Sequence, residues 1–120
     1  MEAVDVSKWV EEVKAAPGSA GIGMVLVHHG VVRATSRSGE PVSGMVLHVD
    51  HGRFEKALEQ AATWPGVIAV RGWVNEGELT VGDDIMKVLV AGDIREHVFT
   101  ALQRLVAIVK NEVVRESEVR

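Results

Sequence analysis

The chain has 120 residues, no cysteine and a formal net charge of -4 at pH 7. Its length predicts a single domain, residues 1–120, and its core must be mostly aliphatic because only 4% of the residues are aromatic. The absence of cysteine excludes disulfides, thiolate zinc sites and cysteine catalysis, and the acidic balance argues against a general nucleic-acid binder.

The first predicted element is a helix near the start of the chain. Apolar residues recur at helical spacing over residues 6–13. Asp5 or Ser7 could cap the start of this helix, because a short polar side chain can accept a hydrogen bond from a free backbone N–H. Pro17 follows shortly and cannot continue a helix, so the element should end before it.

Three strands and a second helix are predicted in the middle of the chain. Residues 24–32, 42–49 and 67–74 are rich in valine, which favours strands. Between the first two strands, residues 35–41 read TSRSGEP, a polar and turn-forming sequence that predicts a mobile loop. The apolar positions of residues 54–61 have the spacing of a short amphipathic helix.

The last third of the chain predicts a strand, a long helix and an edge strand. Residues 85–90 form the strand, and the turn at residues 78–83 separates it from its predecessor. Asp93 with Glu96 has the spacing of a capping box that opens a helix of roughly five turns. Its expected core stripe consists of Ile94, Val98, Leu102, Leu105 and Val109. Residues 113–119 alternate as an edge strand does.

Helices and strands interleave without a regular βαβ rhythm, so the predicted fold class is α+β, with a mixed or antiparallel sheet and about three helices. The first residues lack a basic segment followed by an apolar run, and no apolar stretch could span a bilayer. We therefore expect no signal peptide, no membrane association and a cytoplasmic location.

The histidines raise the question of a metal site. His28 and His29 are neighbours on a predicted strand, so they point to opposite faces and cannot easily share one ion. His48, Asp50 and His51 lie close together, but isolated His and Asp residues at strand ends are usually solvated. We expect no metal and no cofactor, although the sequence leaves open whether this second group binds anything.

Three cations occupy more specific positions. Arg33 ends the first strand beside the polar loop, Arg95 lies in the first turn of the long helix, and Lys110 lies at that helix's end. Taken alone, each has an ordinary structural explanation, such as compensation of the helix dipole by Lys110. Sequence physics therefore favours a structural role for each cation.

A resemblance to a known protein family favours functional roles for these cations instead. Gly30-Val31-Val32-Arg33, Glu55-Lys56-Ala57-Leu58 and the turn from Gly77 to Asp83 are similar, in this order, to segments of the large, catalytic subunit of molybdopterin synthase. Arg95 falls on the arginine of a His-Arg pair in that family, and Lys110 falls on its first catalytic lysine. The similarity covers roughly residues 23–116 and implies an α/β-hammerhead-like fold.

The resemblance also implies a reaction and its partners. That family moves sulfur from a small ubiquitin-like carrier subunit, whose Gly-Gly tail ends in a thiocarboxylate, onto a cyclic pyranopterin phosphate. Lys110 would be the catalytic lysine. Arg33 and Arg95 would bind the phosphate, because the planar guanidinium binds oxygens in pairs. Arg37 could close the loop over an anion, and Arg115 could supply a second positive charge.

Two departures keep an alternative open. Ile94 stands where the family has the histidine of its His-Arg pair, and Val74-Asn75 replaces another such pair. No lysine matches the family's second catalytic lysine, and Arg115 nearby cannot serve as a nucleophilic amine. The alternative is a relative that binds a ubiquitin-like carrier or a pterin without turnover.

The spacing of the cations predicts an oligomer. Arg95 and Lys110 are fifteen residues apart, which corresponds to roughly 22 Å along an unbroken helix. At that distance, the side chains of Arg95 and Lys110 could not both contact one small substrate within one subunit. If both serve one site, a symmetry mate supplies one of them. We therefore expect a homodimer, and a heterotetramer when each subunit binds a carrier.

Overall fold

The computed structural model describes residues 4–120 as three α-helices and six strands. The helices are α1 (Val6–Ala15), α2 (His51–Ala61) and α3 (Arg95–Ile108). The strands are β1 (Met24–Val31), β2 (Gly44–Val49), β3 (Val67–Val74), β4 (Gly77–Thr80), β5 (Asp84–Gly92) and β6 (Val114–Val119). A short 3₁₀ turn, Ser19–Gly21, precedes β1, and a π-helical turn, Val109–Val113, joins α3 to β6.

The strands form two antiparallel sheets of three, in the orders β1-β5-β3 and β4-β2-β6. This architecture confirms the predicted α+β class with three helices. Strand β3 has the predicted bounds, and Asp5 rather than Ser7 caps α1, because its side chain accepts a hydrogen bond from the backbone N–H of Ser7. No helix in residues 4–120 has both the length and the apolar character needed to cross a membrane.

Strand β5 is buried on both faces and organises the core. Val88 and Val90 belong to the main apolar cluster, together with residues of α2, α3 and the second sheet. Leu89 and Ala91 point the other way and pack with Val13 of α1. The alternation of side chains along a strand thus divides β5 between two apolar clusters. One face of the sheet is covered by α3 and the other by α1.

Strand β4 occupies residues that the sequence predicts as part of a turn. Four residues are too short for a periodic signal, and β4 exists because it pairs with β2, from Gly44 opposite Thr80 to Leu47 opposite Gly77. Gly77 and Gly82 adopt φ of 96° and 93°, a region that side chains with a Cβ rarely enter. The turn motif therefore needs glycine at both ends for steric reasons.

The predicted capping box at the start of α3 is wrong. Ile94 is the N-cap, and no side chain caps the helix. Asp93 instead accepts a hydrogen bond from the backbone N–H of Ile94 at 2.6 Å and pairs with Nδ1 of His97 at 2.8 Å. The hydrogen bond from His97 is the main cause of the lowered pKa of Asp93. Ile94 is 48% exposed, so it does not belong to the core stripe.

The far end of α3 also differs from the expectation of one unbroken helix. Regular α-helix ends at Ile108, and the wider π-helical turn carries the chain from Val109 to Val113. Val109 and Val113 are buried there, whereas Lys110 lies between them on the exposed side. Isolated π-helical turns frequently occur at functional sites. This one presents Lys110 next to the start of β6.

Candidate functional site

Lys110 lines a cavity of about 330 Å³ between the loop after β1, the π-helical turn and β6. Its polar lining consists of Arg33, Thr35, Arg37, Lys110, Glu116 and Glu118. Its apolar lining consists of Val31, Val42, Met45 and Ile85. We refer to it as the Lys110 cavity. With all side chains ionised, three cations face two carboxylates, so the cavity has a net positive charge.

The loop after β1 positions the two arginines of this cavity. Arg33 donates a hydrogen bond from Nε to the carbonyl oxygen of Thr35 at 2.8 Å. Thr35 forms an isolated bridge with Pro41 across the loop, and the Ser36 hydroxyl accepts a hydrogen bond from the N–H of Glu40. Ser36 is only 8% exposed, so the loop has a small buried centre that the sequence analysis did not anticipate.

Arg37 differs from Arg33 because its guanidinium group has no bonding partner in the described part of the chain. Among residues 4–120 it makes no hydrogen bond or ion pair, although it lines the same cavity. A cation with no partner in the free protein has its full hydrogen-bonding capacity available for an anion. The Nε of Arg33, by contrast, already donates a hydrogen bond to the backbone.

Lys110 has an anionic neighbour that the sequence analysis did not identify. Its Nζ lies 3.7 Å from Oε1 of Glu116, and the two side chains are 40% and 34% exposed. Glu116 reaches the cavity because alternate residues of β6 point to the same face, which also brings Glu118 there. The alternation predicted for residues 113–119 places Glu116 and Glu118 on one face of the strand. It does not show which face lines the cavity, because that depends on the elements that pack against β6.

A second, apolar groove of about 310 Å³ lies between β1 and α3. It is lined by Leu26, His28, Phe99, Leu102, Gln103 and Val106. Val106 precedes Lys110 by one helical turn, and His28 precedes Val31 on the same strand. The groove and the Lys110 cavity therefore follow one another along the same two segments of chain. Phe99 is 53% exposed and leaves an apolar surface at the groove.

The other predicted site residues lie elsewhere in this chain. Arg95 is exposed, pairs with the adjacent Glu96 at 3.1 Å, and lines neither the Lys110 cavity nor the groove. Arg115 belongs to β6 but points away from Glu116, because successive side chains of a strand face opposite sides. The chain thus brings together Arg33, Arg37 and Lys110, and it separates them from Arg95 and Arg115.

Arg115 instead lines a polar cleft of about 660 Å³. The polar residues of this cleft are His48, Asp50, His51, Asn111, Glu112 and Arg115. His51 pairs with Glu76 at 3.0 Å, and this hydrogen bond is the main cause of the lowered pKa of Glu76. Across residues 4–120, no group of three or more His, Cys, Asp or Glu residues is arranged to hold a metal ion.

Comparison with known proteins gives a family match by sequence. Residues 1–112 match the family described as MoaE protein. No curated protein matches the sequence significantly. One solved structure similar to the chain is the molybdopterin biosynthesis MoaE protein from Burkholderia ambifaria, at 25% identity and a TM-score of 0.73, with 99% of this chain and 84% of that chain covered.

Two more solved structures share the fold at lower identity. Molybdopterin synthase from Staphylococcus aureus has 17% identity and a TM-score of 0.78, covering 99% of this chain and 87% of that chain. A complex of subunits 1 and 2 of the molybdopterin-converting factor from Helicobacter pylori has 15% identity and a TM-score of 0.69, covering 97% and 79%. At these identities the likeness establishes the fold.

Proposed function

The chain belongs to the MoaE protein family, and on that premise we propose that it transfers sulfur from a thiocarboxylated carrier protein to cyclic pyranopterin monophosphate. Family membership and the similar solved structures support a role in molybdenum cofactor biosynthesis. The observation that carries the specific reaction is the grouping of Lys110 with Arg33 and Arg37 in one cavity beside an apolar groove.

The two arginines are proposed to bind the substrate phosphate. Arg37 has a free guanidinium, and Arg33 retains its terminal nitrogens because only its Nε is bonded to Thr35. A guanidinium binds phosphate oxygens in pairs, and such charge-assisted bonds are about twice as strong as neutral ones. Two arginines on either side of Thr35 suit a cyclic phosphate with two exposed oxygens.

Lys110 is proposed to stabilise the negative charge of the thiocarboxylate and of the intermediates that follow. Its ammonium lies in the cavity that follows the groove along β1 and α3. An extended tail that lies in the groove would therefore end beside Lys110. Glu116, 3.7 Å away, holds this ammonium in the cavity before substrate arrives. An anionic tail can displace this contact because the ion pair is partly exposed and therefore weak.

The apolar groove is proposed to receive the C-terminal tail of a small carrier subunit. The Helicobacter pylori relative is a complex of two subunits, which supports a small partner for this chain as well. A tail ending in Gly-Gly is narrow and extended, so it can lie between β1 and α3 with few side chains to accommodate. Phe99 and Val106 offer it an apolar wall.

A second copy of the chain is proposed to complete the site with Arg95. This arginine is exposed and far along α3 from Lys110, so it can serve a neighbouring subunit more easily than its own. Sedimentation at micromolar concentration should give about twice the chain mass of 13.0 kDa. Mixing the inactive variants Arg95→Ala and Lys110→Ala should restore part of the activity, because a hybrid dimer contains one intact site.

A non-catalytic binding protein is the second candidate. The observation in its favour is that Lys110 is the only lysine lining its cavity, and the position of the family's second lysine corresponds to the start of β6, where the chain reads Val113-Val114-Arg115-Glu116. Such a protein would bind carrier or pterin through the same arginines without turnover.

One reconstitution experiment separates the two candidates. The protein is mixed with cyclic pyranopterin monophosphate and a thiocarboxylated carrier, and dithiolene product is measured together with carrier binding. Product formation above a carrier-only control supports sulfur transfer. Binding of the carrier without product supports the non-catalytic candidate, and neither binding nor product overturns both.

A further inference from the structure

His28 is a half-buried imidazole at the point where the apolar groove meets the Lys110 cavity. It lies on β1 on the same face as Leu26 and Gly30, because these residues alternate along the strand. Its Nε2 lies 3.5 Å from the position that a Cβ on Gly30 would occupy. The same position is 3.6 Å from Cβ of Ile85, which lines the Lys110 cavity. Nε2 therefore faces along β1 toward that cavity.

The ring of His28 has no hydrogen-bond partner in the described part of the chain. Within residues 4–120 no buried side-chain nitrogen or oxygen lacks a partner, so both ring nitrogens of His28 must reach solvent. Most of the groove around it is apolar, and Gln103 is its only other polar lining residue. A solvent-accessible imidazole without a partner, in a groove of this kind, is available to bind a water molecule.

The surroundings of His28 favour its neutral form by lowering its pKa. Burial is the main cause that lowers its pKa, and the charges of Lys110 and His29 lower it further. The groove residues of α3 carry no charge, and Val88, opposite His28 on β5, is apolar. At neutral pH the imidazole can therefore accept a proton, which a protonated histidine cannot.

The proposed sulfur transfer leaves a chemical problem that Lys110 and the arginines do not solve. When the sulfur of a thiocarboxylate replaces an oxygen on a carbon of the pterin, a C–S bond forms, the C–O bond breaks and the oxygen leaves with a proton. The carrier tail then stays attached to that sulfur as a thioester. Release requires water: a C–O bond forms at the carbonyl carbon, the C–S bond breaks, and its electron pair stays on sulfur as a thiolate. One proton must leave the attacking water during this step.

We propose that His28 is the general base for this hydrolysis, accepting at a ring nitrogen the proton of the water that attacks the thioester. The inference rests on the proposed function. A tail lying in the groove with its end at Lys110 places the carbonyl carbon beside His28. Lys110 stabilises the oxyanion that forms at that carbon, and His28 afterwards returns its proton to solvent. The carrier leaves with an ordinary carboxylate.

His29 provides a matched control on the same strand. It points to the opposite face, where its Nε2 pairs with Oδ1 of Asp84 at 2.6 Å. Replacing either histidine with glutamine removes one imidazole from β1, but only His28→Gln changes the groove. His28→Phe is a second test variant, because it keeps an aromatic ring in the groove and removes the base.

The experiment measures single turnovers with thiocarboxylated carrier and pterin phosphate across pH, and follows the carrier by mass spectrometry. We expect His28→Gln and His28→Phe to slow product release by roughly 10²-fold or more, the usual scale for a general base. Both should accumulate a carrier joined to pterin through sulfur. The unmodified protein and His29→Gln should slow only at a pH below the ordinary range of histidine, because the pKa of His28 is lowered, and the His28 variants should lack this acid limb.

The results of this experiment distinguish the role of His28 from the proposed function. If the unmodified protein gives product, and the His28 variants release it equally fast with the acid limb intact, His28 is not the base. If the variants are slow but no joined carrier accumulates, His28 acts before sulfur transfer and the assignment to hydrolysis is wrong. If the unmodified protein binds the carrier and yields neither adduct nor product, the proposed function itself fails.

Discussion

The Lys110 cavity and the polar cleft are both lined by residues of β6 and differ in what adjoins them. The cleft is twice as large, at about 660 Å³ against 330 Å³. Each contains a cation without an ion pair in residues 4–120, Arg115 in the cleft and Arg37 in the Lys110 cavity. The cleft also contains Asp50, which is paired with Arg53. The Lys110 cavity, however, adjoins an apolar groove. A neighbouring binding surface therefore identifies a candidate site better than volume does.

The difference has a simple origin in the alternation of side chains along β6. Glu116 and Glu118 face the Lys110 cavity, whereas Arg115 faces the cleft. In the cleft, the N-terminus of α2 also fixes Asp50, which accepts a hydrogen bond from the backbone N–H of Arg53 at 3.0 Å. Asp50 thus has a structural role at the start of α2 in addition to lining the cleft.

Replacing Lys110 should have the largest effect of any change in either cavity. We expect Lys110→Ala to reduce sulfur transfer by roughly 10²-fold or more, because it removes the charge that stabilises developing negative charge. Stability should change by no more than about 1 kcal/mol, since Lys110 makes only a partly exposed ion pair. The measurements are single-turnover rates and a thermal melt of the same preparation.

Lys110→Arg separates charge from proton transfer. Arginine keeps the cation but does not release a proton at ordinary pH. Substantial recovery of the rate would assign an electrostatic role to Lys110, whereas a rate as low as that of the alanine variant would assign proton transfer or strict geometry. An unchanged rate in Lys110→Ala would remove the reason for preferring this cavity over the cleft.

Arg37 should have the next largest effect, mainly on substrate affinity. Its guanidinium has no partner in residues 4–120, so Arg37→Ala should leave stability nearly unchanged. Loss of a charge-assisted bond to phosphate costs about 1.5–3 kcal/mol, or roughly 10- to 100-fold in KM for the pterin. Arg104→Ala is the control, because Arg104 stacks on Trp64 at 4.2 Å outside the cavity. Equal KM changes in both variants would contradict specific phosphate binding.

The sequence predicted much of the fold because most elements have a local signal. Strand β3 and the start of α1 follow from valine-rich and helical patterns in residues 67–74 and 6–13. Strand β4 was missed because four residues acquire strand structure only by pairing with β2. The capping box at Asp93 was wrong because His97, one turn later, offered that carboxylate a competing partner.

The candidate site was predictable only in part, for a related reason. Lys110, Arg33 and Arg37 were identified by a resemblance and by their position beside the loop, and the structure brings them into one cavity. Glu116 and His28 were missed as site residues because their relevance depends on which face of β6 or β1 each occupies. The alternation of residues along a strand predicts which side chains share a face. Which face lines the cavity depends on how the strand packs against other elements.

Glu116 tests whether the ion pair with Lys110 matters to the site. Glu116→Gln keeps the shape and removes the carboxylate 3.7 Å from Nζ. Partly exposed pairs contribute about 0–1 kcal/mol, so kcat should fall by no more than about fivefold. KM for the pterin phosphate should also decrease, because one negative charge leaves the cavity. A rise in KM would indicate that Glu116 contacts the substrate rather than Lys110.

Arg115 should have the smallest effect and therefore tests the comparison most sharply. It is a cation only one residue from Glu116, yet it faces the cleft, and its guanidinium has no ion pair or hydrogen bond within residues 4–120. Arg115→Ala should change stability by less than about 0.5 kcal/mol, as surface substitutions usually do. Sulfur transfer should change less than about twofold, measured beside Arg37→Ala at the same ionic strength. A loss of tenfold or more would mean that Arg115 reaches substrate, either through the cleft or through a second subunit. In that case the orientation of side chains along β6 could no longer separate a catalytic cavity from a structural cleft.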